Sequence, residues 1–338
     1  MTSSLNILKL WDLLQSHRVT AIIYVAAELG LAELLRGGPL HLSELAEMTV
    51  TDTQSLGRLL TALSAVGICS SAGDDRYALT ELGAKLDGAA EHSLKGWAIF
   101  EGRIAAKAWT GLLESIKTGK TAAQLLGVAN SFDLMARDPE SVRIFNAAMA
   151  DMARIVTPDV IRAYDFGKIA HLMDVGGGSG ELVGAVAKQF PHIRATIFDL
   201  SRCAQSAADH LANIGVADRV RFLAGDFFQS IPSIADVIIM KSVIHDWNDE
   251  LSLTILGNCR KALPKTGKLL LVERLMPELP SIDNDYKECA LSDLNMLRGT
   301  GGRERTERTY VRLLQDSGFV HNATYPAGRF SVIEAKVA

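Results

Sequence analysis

Apolar residues in the second half of the chain form short runs separated by longer stretches with helical periodicity. The runs lie near residues 169–175, 194–199, 220–225, 235–241 and 267–273. Short apolar runs between turn residues are typical of strands buried on both faces, and their alternation with helices predicts a parallel, doubly wound α/β sheet. Two last apolar segments, 319–326 and 330–338, flank Gly328, which predicts an antiparallel pair at the sheet edge.

The N-terminal part of the chain has a different pattern, in which apolar positions recur at helical spacing. Its start predicts two helices with an apolar face. Residues 42–69 then predict a helix-turn-helix, with Ser43 capping the first helix and Thr51 or Asp52 capping the second. The run GDDRYALTELG that follows predicts a short hairpin. This order of elements predicts a winged-helix domain over residues 1–95.

The middle segment, residues 96–165, is helical in pattern and rich in large apolar side chains such as Trp97 and Phe132. Side chains of this kind at helical spacing are usually core, but a segment that joins two domains commonly lines the cleft between them. We therefore expect a helical connector that partly lines an acceptor cleft, followed by a catalytic α/β domain over residues 166–338.

Length and composition limit the possible classes of protein. With 338 residues, of which 48% are hydrophobic, the chain can bury two cores. The four cysteines are scattered without C-x-x-C spacing, so neither a disulfide framework nor a zinc site is indicated. No apolar run is long enough to span a bilayer, and the first residues lack the pattern of a signal peptide. We expect a cytoplasmic protein without a membrane partner.

The charges of the predicted winged helix argue against DNA binding. Between His41 and Asp87 the acidic residues outnumber the basic ones, and the whole chain has a net charge of -4. Phosphate contacts require cations, so we expect no nucleic-acid partner, and a DNA-binding regulator remains only an alternative. The exposed apolar face of the first helices instead predicts protein contact through this domain, as a homodimer.

A glycine-rich turn follows the first predicted strand of the sheet. Residues 171–180 read HLMDVGGGSG, in which Gly176, Gly178 and Gly180 precede helix-forming sequence. A turn without Cβ atoms lets a ligand approach the backbone, and the start of the helix attracts carboxylate or ribose oxygens. The dinucleotide fingerprint would need a glycine where Glu181 stands, and a carboxylate there would repel a pyrophosphate. The turn therefore predicts binding of S-adenosylmethionine.

Further candidate cofactor contacts lie at the predicted tips of the neighbouring strands. Asp199 ends the second strand, where a carboxylate can hold ribose hydroxyls. Asp226 and Phe227, after the third strand, suit an adenine by hydrogen bonding and stacking. Lys241, after the fourth strand, either reaches the same purine or pairs with an acid.

His245 is the candidate catalytic residue, because it stands just past the fourth strand at the cofactor edge. An imidazole with an unperturbed pKa near 6.5 takes a proton at neutral pH, and Glu273 and Glu304 are placed to hold its other nitrogen. This pattern predicts a general base. We expect no metal, since the sequence shows no cluster with ligand spacing and a base makes a catalytic cation unnecessary.

These motifs, taken together, resemble those of the plant-type O-methyltransferases, the group of caffeic acid O-methyltransferase and its bacterial relatives that act on phenazines and aromatic polyketides. The matching runs are LMDVGGGSG, FDL, GDFF, MKSVIHDW, LLLVERLMP and GGRERT, and the N-terminal pattern extends the match nearly end to end. The resemblance implies a Rossmann-like methyltransferase sheet with an N-terminal dimerisation domain. It also implies the base, its two glutamates and the cofactor contacts that the strand tips predict.

The predicted reaction is methylation of a hydroxyl on an aromatic small molecule. A phenol has a pKa about 3.5 units above that of an ordinary imidazole, so complete proton transfer before methylation would cost roughly 5 kcal/mol. Two alternatives keep the scaffold: an N-methyltransferase of an aromatic heterocycle, and a family member that binds the cofactor without transferring its methyl group. The identity of the acceptor does not follow from the sequence.

Overall fold

The computed structural model describes residues 2–338, which form two compact units. The N-terminal unit comprises Met1–Trp109 with Glu140–Met152, and the sheet unit comprises Thr110–Pro139 with Ala153–Ala338. The middle segment predicted as a connector is therefore divided between the two units. The domain limits at residues 95 and 165 stay a prediction.

The N-terminal unit has the helix-turn-helix and hairpin that the sequence predicts. Its strands β1, β2 and β3 form an antiparallel sheet in the order β1-β3-β2. The elements are α1 (Thr2–Glu28), α2 (Leu31–Leu35), β1 (Leu40–His41), α3 (Leu42–Thr49), α4 (Thr53–Ala65), β2 (Cys69–Gly73), β3 (Arg76–Leu79), α5 (Lys95–Phe100) and α6 (Ala106–Trp109).

The sequence predicts the N-cap residue correctly for only one of the two central helices of this unit, α3 and α4. Asp52 caps α4, because its carboxylate accepts a hydrogen bond from Ser55 N at 2.8 Å. The expected Ser43 cap on α3 is wrong. Strand β1 leads directly into the helix, so His41 is the cap: its Nδ1 accepts from Ser43 N, while the Glu44 carboxylate accepts from His41 N at 2.7 Å.

The sheet unit contains seven strands in the order β6-β5-β4-β7-β8-β10-β9. The predicted parallel strands are β4 (His171–Val175), β5 (Arg194–Asp199), β6 (Val220–Ala224), β7 (Val237–Lys241) and β8 (Lys268–Glu273). The last two, β9 (Phe319–Ala327) and β10 (Phe330–Val337), form the predicted antiparallel pair at the edge.

Helices follow most of the parallel strands and cover the sheet. They are α11 (Glu181–Gln189), α12 (Ala204–Ile214), α13 (Asp249–Ala262), α14 (Asn284–Arg298) and α15 (Glu307–Asp316). Before the first parallel strand the chain forms α7 (Leu112–Thr118), α8 (Ala122–Leu125), α9 (Ser131–Met135) and α10 (Pro139–Ala163, divided between the units). Within the described chain, no helix combines the length and apolar character needed to cross a bilayer.

The sheet is buried on both faces, as continuous apolar strands require. One face packs on α10, α11 and α12 through residues such as Val160 and Val186, and the other packs on α13 and α15 through residues such as Ile255 and Leu314. The strand order reverses between β4 and β7. In such sheets ligands bind at the carboxyl ends of the strands beside the reversal, so this edge is where the candidate site lies.

Candidate active site

The glycine-rich turn between β4 and α11 has a backbone that only glycine adopts readily. Gly176, Gly178 and Gly180 have φ values of 76°, 56° and 81°. A Cβ atom on Gly180 would lie 2.4 Å from Ile197 Cδ1, so the turn packs closely on β5, whereas a Cβ atom on Gly178 would meet open space. Gly178 therefore offers its backbone to an approaching ligand.

Asp199 lies next to this turn at the end of β5. Its Oδ2 accepts a hydrogen bond from Gly178 N at 2.8 Å, and its Oδ1 accepts one from Leu200 N at 2.6 Å. Each carboxylate oxygen has a second lone pair, so the half-exposed carboxylate can accept hydroxyl donors as well. The structure thus brings Asp199 and the glycine turn together, as expected.

The remaining predicted cofactor residues lie at the tips of β6 and β7. Asp226 and Phe227 are half-buried, and Asp226 Oδ1 accepts from Phe228 N at 2.9 Å. Lys241 Nζ lies 3.5 Å from Ser242 Oγ. Burial lowers the pKa of Lys241, against the opposing effect of nearby carboxylates, of which Asp174 has the largest effect. Carboxylates thus surround the ammonium, although none among the described residues lies within ion-pair distance of it, and both uses that the sequence leaves open stay predictions.

His245 lies in a short 3₁₀ turn, Ile244–Asp246, directly after β7, and it is buried. Its Nδ1 is 3.1 Å from Glu304 Oε1 and 3.9 Å from Glu273 Oε2. Both predicted glutamates therefore gather at the same ring nitrogen. The other nitrogen, Nε2, lies 3.8 Å from Asp246 Oδ1.

Hydrogen bonds anchor both glutamates in place. Glu273 is fully buried, and its Oε1 accepts from Val243 N at 3.2 Å and from Ile244 N at 2.9 Å. Glu304 Oε1 accepts from Ser292 Oγ at 2.6 Å. The second oxygen of each carboxylate has no hydrogen-bond partner among residues 2–338. These hydrogen bonds thus hold both carboxylates in a fixed orientation towards the imidazole.

The charge environment corrects the assumption of an ordinary imidazole. Burial alone would lower the pKa of His245, but the carboxylates of Glu273 and Glu304 outweigh it and raise that pKa to about 10. Burial, reinforced by Glu304, raises the pKa of Glu273 to about 7 despite the opposing effect of His245. At neutral pH His245 therefore carries a proton.

Two family models match most of the chain. The O-methyltransferase domain matches residues 109–320, and the O-methyltransferase dimerisation domain matches residues 11–86. The chain belongs to the O-methyltransferase family. It is an S-adenosylmethionine-dependent enzyme that methylates aromatic small molecules, and the predicted sheet with an N-terminal dimerisation domain is confirmed.

Relatives of this methyltransferase support the assignment over nearly the whole chain. The phenazine O-methyltransferase PhzM of Lysobacter antibioticus is 35% identical over 97% of this chain and 95% of its own. The crystal structure of LaPhzM has a TM-score of 0.93 at 34% identity and covers 100% of both chains. The O-methyltransferase NcsB1 from neocarzinostatin biosynthesis, solved with S-adenosylmethionine and 2-hydroxy-5-methyl naphthoic acid, has a TM-score of 0.78 at 26% identity and covers 95% and 96%.

The sequence did not anticipate how the methyltransferase holds the His245 turn. Besides Glu304, the GGRERT run contributes Gly302, whose backbone packs directly against this turn. A Cβ atom on Gly302 would lie 1.9 Å from the His245 carbonyl oxygen, and Arg303 N donates to that oxygen at 2.9 Å. Glycine is therefore required at position 302 by close backbone approach.

Arg305 holds the same turn from the interior. Its side chain is fully buried, and the guanidinium donates to the carbonyl of Ile244 at 3.1 Å, to that of Trp247 at 2.7 Å and to Asp249 Oδ1 at 2.8 Å. A buried arginine among backbone carbonyls can be noticed only in the folded chain. The run GGRERT was a family signal in the sequence, but it did not indicate this role.

Aromatic side chains surround Trp247, close to His245 in the chain. The Trp247 ring lies 4.7 Å from that of Phe228 and 5.8 Å from that of Phe132. Phe132 thus belongs to the sheet unit, whereas Trp97 packs on Phe100 within the N-terminal unit, at 5.7 Å between ring centroids. The large apolar side chains of the middle segment therefore have different environments.

The site also fits the cofactor by its chemistry. The open space beside Gly178, the half-exposed carboxylate of Asp199 and the ring of Phe227 offer room, an acceptor and an apolar face to an adenosine with a short charged tail. In the described part of the chain, no group of three or more histidines, cysteines and carboxylates is arranged to hold a metal ion. That no metal takes part in the reaction stays a prediction.

Proposed function

We propose that this methyltransferase methylates a hydroxyl of an aromatic small molecule, with His245 as the general base. The observation that carries the proposal is the imidazole fixed through Nδ1 by Glu304 at the carboxyl ends of β7 and β8, with Nε2 on the opposite side of the ring. A ring held through one nitrogen is oriented to take a proton through the other.

The cofactor contacts follow from the same edge of the sheet. Gly176 and Gly178 would receive the methionine end at the start of α11, Asp199 would accept the ribose hydroxyls, and Asp226 and Phe227 would contact the adenine. Lys241 would either contact the purine through its ammonium or balance the surrounding carboxylates. When bound there, S-adenosylmethionine supplies a methyl group on a sulfonium centre.

The raised pKa of His245 changes the energetics of proton removal. An imidazole with a pKa of about 10 matches a phenol, whose ordinary pKa is about 10, so the proton passes between them at little cost. The cost of roughly 5 kcal/mol expected for an ordinary imidazole therefore moves from the transfer step to the preceding deprotonation of the imidazolium. In exchange, the base must first lose a proton to solvent, so the rate of methyl transfer should rise with pH.

Glu304→Gln tests this role of the carboxylates. Removing the negative charge stabilises the imidazolium less, so the pKa of His245 falls. The rising limb of the pH profile of kcat should then move to lower pH by about one unit or more. Steady-state rates with a phenolic acceptor between pH 6 and 10.5 measure the shift.

Glu307→Gln is the matched control, because Glu307 is exposed at the start of α15 and does not contact His245. Its profile should coincide with that of the unmodified enzyme. If Glu304→Gln shifts the rising limb to higher pH or leaves it in place, His245 does not titrate as the base.

The reaction itself is tested with methyl-labelled S-adenosylmethionine and a panel of hydroxylated polycyclic aromatics. We expect label in an ether linkage, identified by fragmentation in mass spectrometry. Label on a ring nitrogen would make the enzyme an N-methyltransferase. Cofactor binding without any labelled product across the panel would contradict methyl transfer to such acceptors.

We further propose that the chain works as a homodimer through its N-terminal unit. Helix α1 exposes a series of large apolar side chains, of which Leu8, Trp11 and Leu14 are each more than 60% exposed. Such a surface is costly in water and is typical of a protein contact. Light scattering should give twice the 36.5 kDa of one chain, and the mass of a single chain would contradict the dimer.

A further inference from the structure

A cavity of about 400 Å³ lies at the amino ends of β4, β5 and β6, at the opposite edge of the sheet from the candidate active site. Basic groups dominate its lining, which includes His171, Arg194, Arg219 and Arg221. In a chain with a net charge of -4, this concentration of guanidinium groups is a local exception.

The strand register places three of these side chains, those of His171, Arg194 and Arg221, on the same face of the sheet as Thr196. His171 is paired with Arg194, and Thr196 with Arg221, so the four side chains point to one face of the sheet. Further along the same face Met173 is buried in the core. The face is therefore apolar towards the carboxyl ends and polar at this corner, where an apolar lining would be usual for a covered parallel sheet.

Among the described residues, two of the three guanidinium groups have no anionic partner within ion-pair distance. In residues 2–338, no carboxylate lies within ion-pair distance of Arg194 or Arg221. Arg221 Nε is 3.5 Å from the Oγ1 of Thr196, a residue with no exposed surface. The third group, that of Arg219, is paired with Asp218 at 3.3 Å.

The other titratable groups at the corner offset only part of this charge, because the carboxylate of Asp236 is, among residues 2–338, the one acid there that faces no guanidinium at ion-pair distance. Both oxygens of Asp236 accept backbone hydrogen bonds, from Ala170 N at 3.2 Å and from His171 N at 2.6 Å. Burial, reinforced by Arg221, lowers the pKa of His171, so its ring is neutral at pH 7. The exposed Arg194 and Arg221 thus outnumber the Asp236 carboxylate, and a cationic excess borders the cavity.

We propose that this corner binds a phosphate-type anion. A guanidinium group binds an oxyanion through two parallel N–H donors. A carboxylate has only two oxygens, so a single guanidinium group is enough to engage both of them. A phosphate has enough oxygens to engage Arg194 and Arg221 together, beside the His171 ring, whose Nε2 lies 2.9 Å from the buried Thr196 hydroxyl beneath it. The site is distinct from the cofactor edge, so anion binding there does not depend on the proposed reaction.

The test is calorimetry on the full-length enzyme with inorganic phosphate, with glucose 6-phosphate as a phosphate monoester, and with acetate. We expect phosphate or the monoester to bind and acetate to bind weakly. The stronger of the two phosphate ligands identifies whether a free ion or a phosphorylated molecule is the natural occupant. The double variant Arg194→Gln/Arg221→Gln should lose at least about tenfold in affinity for that ligand.

Arg308→Gln is the matched control, because it removes an exposed guanidinium from α15, away from the corner. It should bind phosphate like the unmodified enzyme, and all variants should methylate at the same rate. A second readout is the imidazole resonance of His171, whose pKa should rise when phosphate is present, since an anion offsets the effect of Arg221.

Equal phosphate affinity in the double variant would mean an adventitious ion only and would overturn the proposal. Absence of binding to the unmodified enzyme at millimolar phosphate and monoester would overturn it as well. Neither result bears on methyl transfer, which the labelled-product assay decides separately.

Discussion

His245→Ala should reduce the turnover of the methyltransferase by about 10²- to 10⁴-fold while leaving S-adenosylmethionine binding intact. The substitution removes the group proposed to accept the hydroxyl proton, but it leaves the glycine turn and Asp199 in place. The acceptor must then lose its proton to water, away from any positioned base. Single-turnover rates and calorimetric titration with the cofactor measure the two quantities separately.

Acceptor acidity provides a sharper version of this experiment. A nitro-substituted phenol is already ionised at neutral pH and needs no base, so the deficit of His245→Ala should shrink with such an acceptor. Asp199→Asn should show the opposite pattern, with weaker cofactor binding and a nearly normal rate at saturating cofactor. Unchanged turnover of His245→Ala with an ordinary phenol would remove the base from the mechanism.

Arg305→Met should lower the free energy of unfolding by about 3 kcal/mol, the second large effect that we expect. The guanidinium is the buried partner of two backbone carbonyls and of Asp249, and removing it leaves these acceptors without donors. Methionine fills much of the space, so the cost reflects lost polar contacts more than a cavity. Chemical denaturation monitored by tryptophan fluorescence measures the change.

Arg312→Met is a matched control for this prediction. Arg312 contacts the same Asp249 carboxylate, at 3.7 Å, but its side chain is 62% exposed. An exposed ion pair contributes little, so we expect a change within about 0.5 kcal/mol. Equal effects of the two substitutions would contradict a special role for the buried arginine.

Arg305→Lys, compared with Arg305→Met, tests whether Arg305 positions His245. If it does, Arg305→Lys should retain cofactor affinity but lose turnover, because lysine keeps the charge and lacks the planar fork that reaches two carbonyls. Loss of stability with unchanged kcat in both variants would limit Arg305 to a structural role.

Most elements of the fold could be predicted from local patterns in the sequence. The alternation of apolar runs and helical stretches, the hairpin after α4 and the pair β9–β10 depend on neighbouring residues, so the sequence predicted them with small errors. The limits of α3 show where this reasoning fails. Its cap depended on where β1 ends, and that strand exists only because it pairs with β3.

For the candidate site, the sequence determined which residues are present and at which strand tips. Gly178, Asp199 and His245 lie where their positions after successive strands predicted, because parallel strands bring their carboxyl ends to one edge. The sequence also limited the chemistry to a nucleoside cofactor without a pyrophosphate.

Only the tertiary structure decided how these residues behave. The pKa of His245 depends on Glu304, which lies 59 residues further along the chain, and on burial that periodicity does not measure. Likewise, Arg305 reads as a surface charge until the fold encloses it, and only the strand register places Arg194 and Arg221 on one face of the sheet. Strand and turn preferences act between neighbours, whereas electrostatic energies depend on distances and solvent exposure that arise only when remote segments pack together.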